Sequence, residues 1–280
     1  MKNEKYLDLF PIYLLCFPDY PLGEEVFFDL LKPEQNHVIK AFSGDGQTVG
    51  YAVICDNTIT LICVLPLYRK KSHGRKLLQE AENFIRSKDK NGPVILGFAN
   101  NYIFQGVPLD YGSVGFFEKY GYHADYHTTN MKLKLSDFDF GKLSLNEPED
   151  ISSRLAKETD KPALMEAVLD AQPLWQHYFA DYDDVVMLTL YGDKIIGFLM
   201  LERDGARFKN DGGKSASIGC VGIIHEARGR GIGQRMVAEG VRWLKEQGCL
   251  EIELLYVAMV GWYEKLGFYP VSKQWMGGKK

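Results

Sequence analysis

The residues best placed to do chemistry lie in one continuous stretch, Val221-Gly222-Ile223-Ile224-His225-Glu226-Ala227-Arg228-Gly229-Arg230-Gly231-Ile232-Gly233-Gln234. A small, apolar run of strand length, Ser215 to Ile224, leads into a glycine-rich turn that opens a helix. Glycine permits positive φ and lets a ligand approach the backbone closely. The N–H groups of such a turn, with the positive end of the helix dipole, form an anion site suited to a pyrophosphate. Arg228 and Arg230 either add charge to that site or are solvated surface arginines. The turn is not a P-loop, because no Gly-Lys-Ser/Thr follows it. Its glycines alternate at 229, 231 and 233, which is not the dinucleotide spacing G-x-G-x-x-G.

Other reactive side chains are arranged less suggestively. The five cysteines form no C-x-x-C pair and are odd in number. Four of them lie in apolar runs, where a reduced cysteine acts as a small buried hydrophobe, and a cytoplasmic protein is expected. Of the six histidines only His123 and His127 stand four residues apart, and no metal is expected. The net charge of −4 disfavours a nucleic-acid partner. The apolar run Leu9 to Phe17 is short, contains Pro11 and follows Glu4 and Asp8. It makes a poor signal peptide and no membrane span is expected.

The elements around the turn follow from periodicity. Residues 161–180 carry Leu164, Met165, Val168, Leu169 and Leu174 at helical spacing, with Trp175, Tyr178 and Phe179 at the end. Val185 to Leu190 and Ile195 to Glu202 read as a hairpin, and 203–214 as a charged loop. Behind the turn, Met236, Val237, Val241 and Leu244 mark a helix that stops at Gly248. Leu250 to Val257 is strand-like, and a short helix around Trp262-Tyr263-Glu264-Lys265 ends at Gly267.

The first half repeats this order. A helix at Glu24 to Leu31 precedes strands at His37 to Phe42, Val49 to Cys55 and Thr58 to Leu65. A basic segment, Arg69 to Lys76, then leads to a helix holding Leu77, Leu78, Ala81, Phe84 and Ile85. Phe116-Phe117-Glu118-Lys119-Tyr120-Gly121-Tyr122 echoes Trp262-Tyr263-Glu264-Lys265-Leu266-Gly267-Phe268, a sign of duplicated domains. A chain of 280 residues with 46% hydrophobic and 25% charged residues suits two soluble domains. The boundary is expected in the polar stretch between Leu135 and Ser152, giving domains at 1–140 and 150–280.

Arg228, Gly231 and Gly233 match the Arg-x-x-Gly-x-Gly signature of the GNAT acetyltransferase superfamily, which this sequence resembles. The string Tyr263 to Phe268, beginning 35 residues after Arg228, is similar to that superfamily's C-terminal motif. The resemblance covers 150–280 well and 20–135 more weakly, as in a tandem protein. It implies an α/β (α+β) fold of two GNAT-like domains, each a mixed, mostly antiparallel splayed sheet flanked by helices. It also implies an N-acetyltransferase using acetyl-CoA as co-substrate, with a small-molecule, peptide or protein amine as acceptor, attacking directly in a ternary complex. The backbone at Val221 and Ile223 would pair with the pantetheine arm. The N–H groups of Gly229, Arg230, Gly231, Ile232, Gly233 and Gln234 would hold the pyrophosphate, and Tyr263 would protonate the leaving thiolate. A non-catalytic CoA-binding or regulatory module on the same fold is the alternative.

Three departures from the pattern stand out. No carboxylate lies on the strand 215–224, which leaves Glu253 as candidate base, or else an exposed strand glutamate, with His225 a second candidate. Tyr256 replaces an asparagine that often precedes the acid tyrosine. In the first half, Arg69-Lys70-Lys71-Ser72-His73-Gly74 has serine at the middle glycine, and Phe117 replaces the tyrosine, so that domain is expected to be silent. Arg69 and Phe117 are separated by 48 residues rather than 35, and the extra residues fall in 97–115. That insertion covers a substrate pocket or is an ordered structural loop.

Overall fold

The computed structural model describes residues 4–99, 102–145, 150–180, 185–209 and 214–280. In the first half, α1 (Leu9–Cys16) and α2 (Glu24–Leu31) precede β1 (His37–Phe42), β2 (Thr48–Cys55) and β3 (Thr58–Val64). Then come α3 (His73–Lys88), β4 (Val94–Leu96), β5 (Val107–Pro108), α4 (Val114–Lys119) and β6 (His123–Lys134). The second half runs β7 (Ile151–Leu155), α5 (Lys161–Ala171), α6 (Gln176–Ala180), β8 (Val185–Tyr191), β9 (Lys194–Glu202) and β10 (Ser215–Ile223). It continues through α7 (Ile232–Glu246), β11 (Glu251–Val257) and α8 (Val260–Glu264) to β12 (Tyr269–Lys279).

The chain divides into two compact units, one of residues 1–129 with 272–280 and the other of residues 130–271. The polar stretch between Leu135 and Ser152 falls within the second unit, and the units part at Asn130 instead. The reason is strand pairing. From Asn130 onward β6 belongs to the second unit, where β11 is its neighbour. The end of β12 belongs to the first unit, pairing Gly278 with Ile95 of β4 and Trp275 with Val107 of β5. Trp275 is buried there among Leu78, Ala81, Ile85 and Phe117, which ties the C-terminal strand to a core built 150 residues or more earlier.

Each unit is a mixed sheet in which antiparallel neighbours flank a parallel pair. In the first unit β1–β2–β3 is antiparallel and β3 meets β4 in parallel. In the second, β7–β8–β9–β10 is antiparallel and β10 meets β11 in parallel. The pleat sends alternate residues of β9 to opposite faces. Leu199 and Leu201 pack with Met236, Val237, Val241 and Leu244 of α7, while Phe198 and Met200 pack with Leu164 and Val168 of α5. Gly240 of α7 sits so close to Leu199 and Leu201 that a Cβ there would lie 3.1 Å from Leu201. Helices cover both faces, which is why β9 is apolar on both. Leu9 to Phe17 is mostly the helix α1, whose Leu9, Ile12, Tyr13 and Cys16 are buried. No helix among the described residues is long and apolar enough to cross a membrane.

Candidate functional site

The site is built on β10. Ser215, Ala216 and Ser217 pair with Glu251, Ile252 and Glu253 of β11, and the parallel register ends there. On its other edge β10 stays with β9 as far as Ile223↔Gly197, but the register slips between Gly219 and Gly222. The slip accommodates one extra residue, and Cys220 takes φ 48°, a costly conformation for a side chain with a Cβ. The Ile224 N–H donates to the Ile196 carbonyl at 3.1 Å. By strand alternation the N–H and C=O of Val221 and the N–H of Ile223 therefore point away from β9, into the gap where β10 and β11 part. Gly222 is required by its neighbour, since a Cβ there would fall 2.2 Å from the Phe198 ring.

A short 3₁₀ turn, His225–Ala227, carries the chain from β10 to the glycines. Gly229 and Gly231 adopt φ 79° and 77°, and Gly231 caps α7. The first N–H groups of that helix have no intrahelical partners and point out of its N-terminus. A Cβ at Gly229 would meet nothing within 4 Å, so the turn faces open space. Gly233 has a different task. Its Cβ would lie 3.1 Å from the Trp262 ring and 3.6 Å from the Ile223 side chain, so it is the point where β10, α7 and α8 converge. Ile232 is buried, and the Gln234 amide donates to the Trp262 carbonyl at 3.1 Å. Arg228 acts as a tether: its Nε donates to the Ile223 carbonyl at 3.0 Å and a terminal nitrogen to the Ala171 carbonyl at 2.9 Å. Arg230 is exposed on the turn.

Tyr263 lies in α8, half-buried against the core that also receives Val221, Ile223 and Trp262. Burial pushes its phenol up to about 12, so it carries its proton across the physiological range. Glu253 is not an exposed strand residue: it is 2% exposed and accepts the Arg207 N–H at 2.7 Å. Burial raises its pKa, against the pull of that hydrogen bond and of the Lys132 charge. Its carboxylate thus anchors the loop after β9, a task that the sequence pattern does not reveal. His225 is exposed, with Nδ1 3.2 Å from Asp170, whose carboxyl is held below its usual range first by the His225 backbone N–H.

Cys220 is pushed up to about 12 by burial and the Glu202 charge, far from a thiolate nucleophile. Phe179 is buried, with its ring centroid 5.1 Å from that of Phe198, and Trp175 packs on the same cluster, whereas Tyr178 is exposed. In the first unit the described part of the 97–115 insertion is ordered structure. Phe104 is buried against Phe17 and Tyr20, and Val107 and Pro108 pair with β12.

Residues 150–268 match the Acetyltransferase (GNAT) family, and residues 34–124 match an Acetyltransferase (GNAT) domain. No curated protein sequence matches the chain. Among solved structures, it is similar to one described as a GCN5-related glucosamine N-acetyltransferase region of a fungal multi-domain GH3 β-N-acetylglucosaminidase. That likeness has 22% identity and a TM-score of 0.84 over 99% of this chain, which spans only 37% of the fungal protein. A GCN5-related N-acetyltransferase from Sphaerobacter thermophilus has 19% identity and a TM-score of 0.67, covering 88% of this chain and 80% of its own. A tandem GNAT protein from the clavulanic acid biosynthesis pathway has 17% identity and a TM-score of 0.67, over 99% of this chain and 95% of its own. At these identities the likeness is one of fold. The sequence matches to both halves, on sheets that part beside a glycine turn, place this chain in the GNAT acetyltransferase superfamily as a tandem protein of two GNAT domains.

Proposed function

We propose that the second unit transfers acetyl from acetyl-CoA to a primary amine, by direct attack of the amine in a ternary complex. The observation that carries this reading is the continuity of β10, turn and α7. An inward-facing backbone edge at Val221 and Ile223 runs into a turn with two left-handed glycines and a helix N-terminus. The fit to acetyl-CoA is specific in kind. A strand edge suits the amides of a pantetheine arm, and out-pointing N–H groups suit a pyrophosphate. Bound acetyl-CoA supplies an activated acetyl thioester.

The chain's own residues then do three things. The N–H groups from Gly229 to Gln234 hold the diphosphate, and Arg228 keeps the turn in register by bonding Ile223. The Val221 and Ile223 backbone orients the arm. The Tyr263 hydroxyl, protonated at neutral pH, delivers a proton to the departing sulfur and is restored by the proton that the attacking nitrogen sheds as the amide forms. With Glu253 committed to the Arg207 N–H, the amine arrives neutral from solvent rather than losing its proton to a buried base.

The test is CoA release from acetyl-CoA on adding a panel of amines: amino sugars, polyamines, amino acids, peptide N-termini and a lysine peptide. Glucosamine heads the panel because the fungal neighbour is described as acting on it. Acceptor-dependent thiol release supports the enzyme. Tight acetyl-CoA binding without turnover for any class favours a CoA-binding module.

A further inference from the structure

The end of β10 that leads to the turn is held along one edge only. Its pairing with β11 stops at Ser217↔Glu253, whereas β9 accompanies it to Ile223 with a register slip on the way. A bulged strand with a free edge can twist, so its aim depends on how its far end is fixed. Two side-chain contacts fix it, and both reach α5. Arg228 spans from the Ile223 carbonyl to the Ala171 carbonyl at the end of that helix. Asp170, one residue earlier, accepts the His225 N–H at 2.6 Å, and the same carboxylate oxygen lies 3.2 Å from the His225 Nδ1.

α5 is a firm anchor, because its Leu164, Ala167 and Val168 are buried. A carboxylate in the last turn of a helix opposes the helix dipole, so Asp170 is unfavourable there unless a donor meets it. The His225 N–H is that donor. Ile224 is extended, at φ −57° and ψ 150°, and its own N–H goes to Ile196 of β9, so the next N–H leaves from the opposite edge. The N–H groups of Val221, Ile223 and His225 therefore form one row, and Asp170 engages the last of them. The first unit has no such bond. Pro66 stands at this position, directly after Leu65, whose N–H pairs with Val49 as that of Ile224 pairs with Ile196. Proline has no N–H to give.

We infer that Asp170 is a positioning residue for the pantetheine arm: by holding the His225 N–H it locks the end of β10 to α5 and keeps the Val221 and Ile223 edge aimed at the arm. Asp170 acts only through that backbone. The diphosphate is held separately, by the N–H groups of the turn. This inference rests on the acetyl-CoA reading above.

Calorimetry on the full chain with CoA and with 3′-phosphoadenosine 5′-diphosphate, the fragment that lacks the arm, tests it. The arm should strengthen binding to the wild type. In Asp170→Ala that gain should shrink about fivefold, the scale of one hydrogen bond, with affinity for the fragment unchanged. Asp170→Asn should restore the gain, because its amide oxygen accepts the same N–H. His225→Pro should copy Asp170→Ala, and the double variant should be no worse than either single change. A folded Asp170→Ala with the full gain, equal weakening toward both ligands, an Asp170→Asn no better than the alanine variant, or additive losses would each overturn the assignment. If Gly231→Glu abolishes binding of both ligands while Asp170→Ala keeps the full gain, the acetyl-CoA reading stands and this inference alone falls. If CoA does not bind the wild type, or the arm adds nothing to its binding, both fall.

Discussion

The two units carry the same turn with different residues. In each, a 3₁₀ turn delivers an arginine at φ −66° whose Nε donates 3.0 Å to the last carbonyl of the strand before it: Arg69 to Val64, Arg228 to Ile223. The left-handed positions are Gly229 and Gly231 in one unit, at φ 79° and 77°, and Lys70 and Ser72 in the other, at 61° and 68°. A non-glycine residue there costs about 1–2 kcal/mol. The first unit thus keeps an expensive backbone without the residues that make it cheap. At the second landmark the units diverge in chemistry: Tyr263 carries a half-buried phenol, and Phe117 is a 4% exposed core residue between Phe116 and Tyr122. Strand pairing and core packing enforce the frame in both units, and neither depends on that hydroxyl.

The largest expected effect breaks the comparison from the first unit. Phe117→Ala should cost about 3–5 kcal/mol of stability, since it empties a packed core position. Denaturant unfolding should show a lowered midpoint, while kcat of the fraction still folded stays near wild type. A selective loss of turnover at full stability would instead give the first unit a part in the chemistry.

Tyr263→Phe installs in the second unit the residue that the first unit has. The ring and its packing on Trp262 and Phe268 remain, and only the proton is lost. Steady-state kinetics should show kcat down about 100-fold, the low end for general acid catalysis, because a thiolate is already a fair leaving group. Acetyl-CoA affinity and melting temperature should hold. If kcat stays within about twofold while the melting temperature drops, the hydroxyl only supports the fold.

Gly231→Glu should weaken acetyl-CoA binding at least about tenfold, or about 1.4 kcal/mol. Ser72 shows that a side chain can occupy this conformation, so the variant should fold. The matching Ser72→Glu should change turnover much less. Unchanged calorimetric affinity in folded Gly231→Glu protein would remove the turn from the site.

The smallest effect concerns Glu253. Burial raises its folded pKa above the unfolded value. Such a carboxyl favours the fold most at low pH, where it is protonated. That benefit is lost as pH rises from the unfolded toward the folded pKa. Glu253→Gln should therefore gain in melting temperature relative to wild type more at pH 8 than at pH 4, with kcat nearly unchanged. A fall of about 100-fold in kcat in the folded variant would make Glu253 the base instead.

Local pattern made much of this molecule legible in its sequence. Helical spacing at Met236, Val237, Val241 and Leu244 marks α7, and all four side chains are buried. Alternating glycines mark a turn because no other residue takes positive φ as cheaply. The echo of 116–122 in 262–268 announces the second copy. Partners distant in the chain were a different matter. β12 reads Tyr269-Pro270-Val271-Ser272-Lys273-Gln274-Trp275-Met276-Gly277-Gly278-Lys279, too polar and glycine-rich to mark a core strand. Its place beside β4 exists only once Trp275 finds the core of the first unit. Glu253 looks exposed until the Arg207 loop covers it, and Asp170 meets His225 only through folding. Sequence by itself determined the elements that helical spacing or apolar runs mark and the turn chemistry, which depend on neighbours within a few residues. Tertiary structure decided strand partners, burial of charge and the joining of remote side chains, because these depend on contacts whose entropic cost only the assembled core repays.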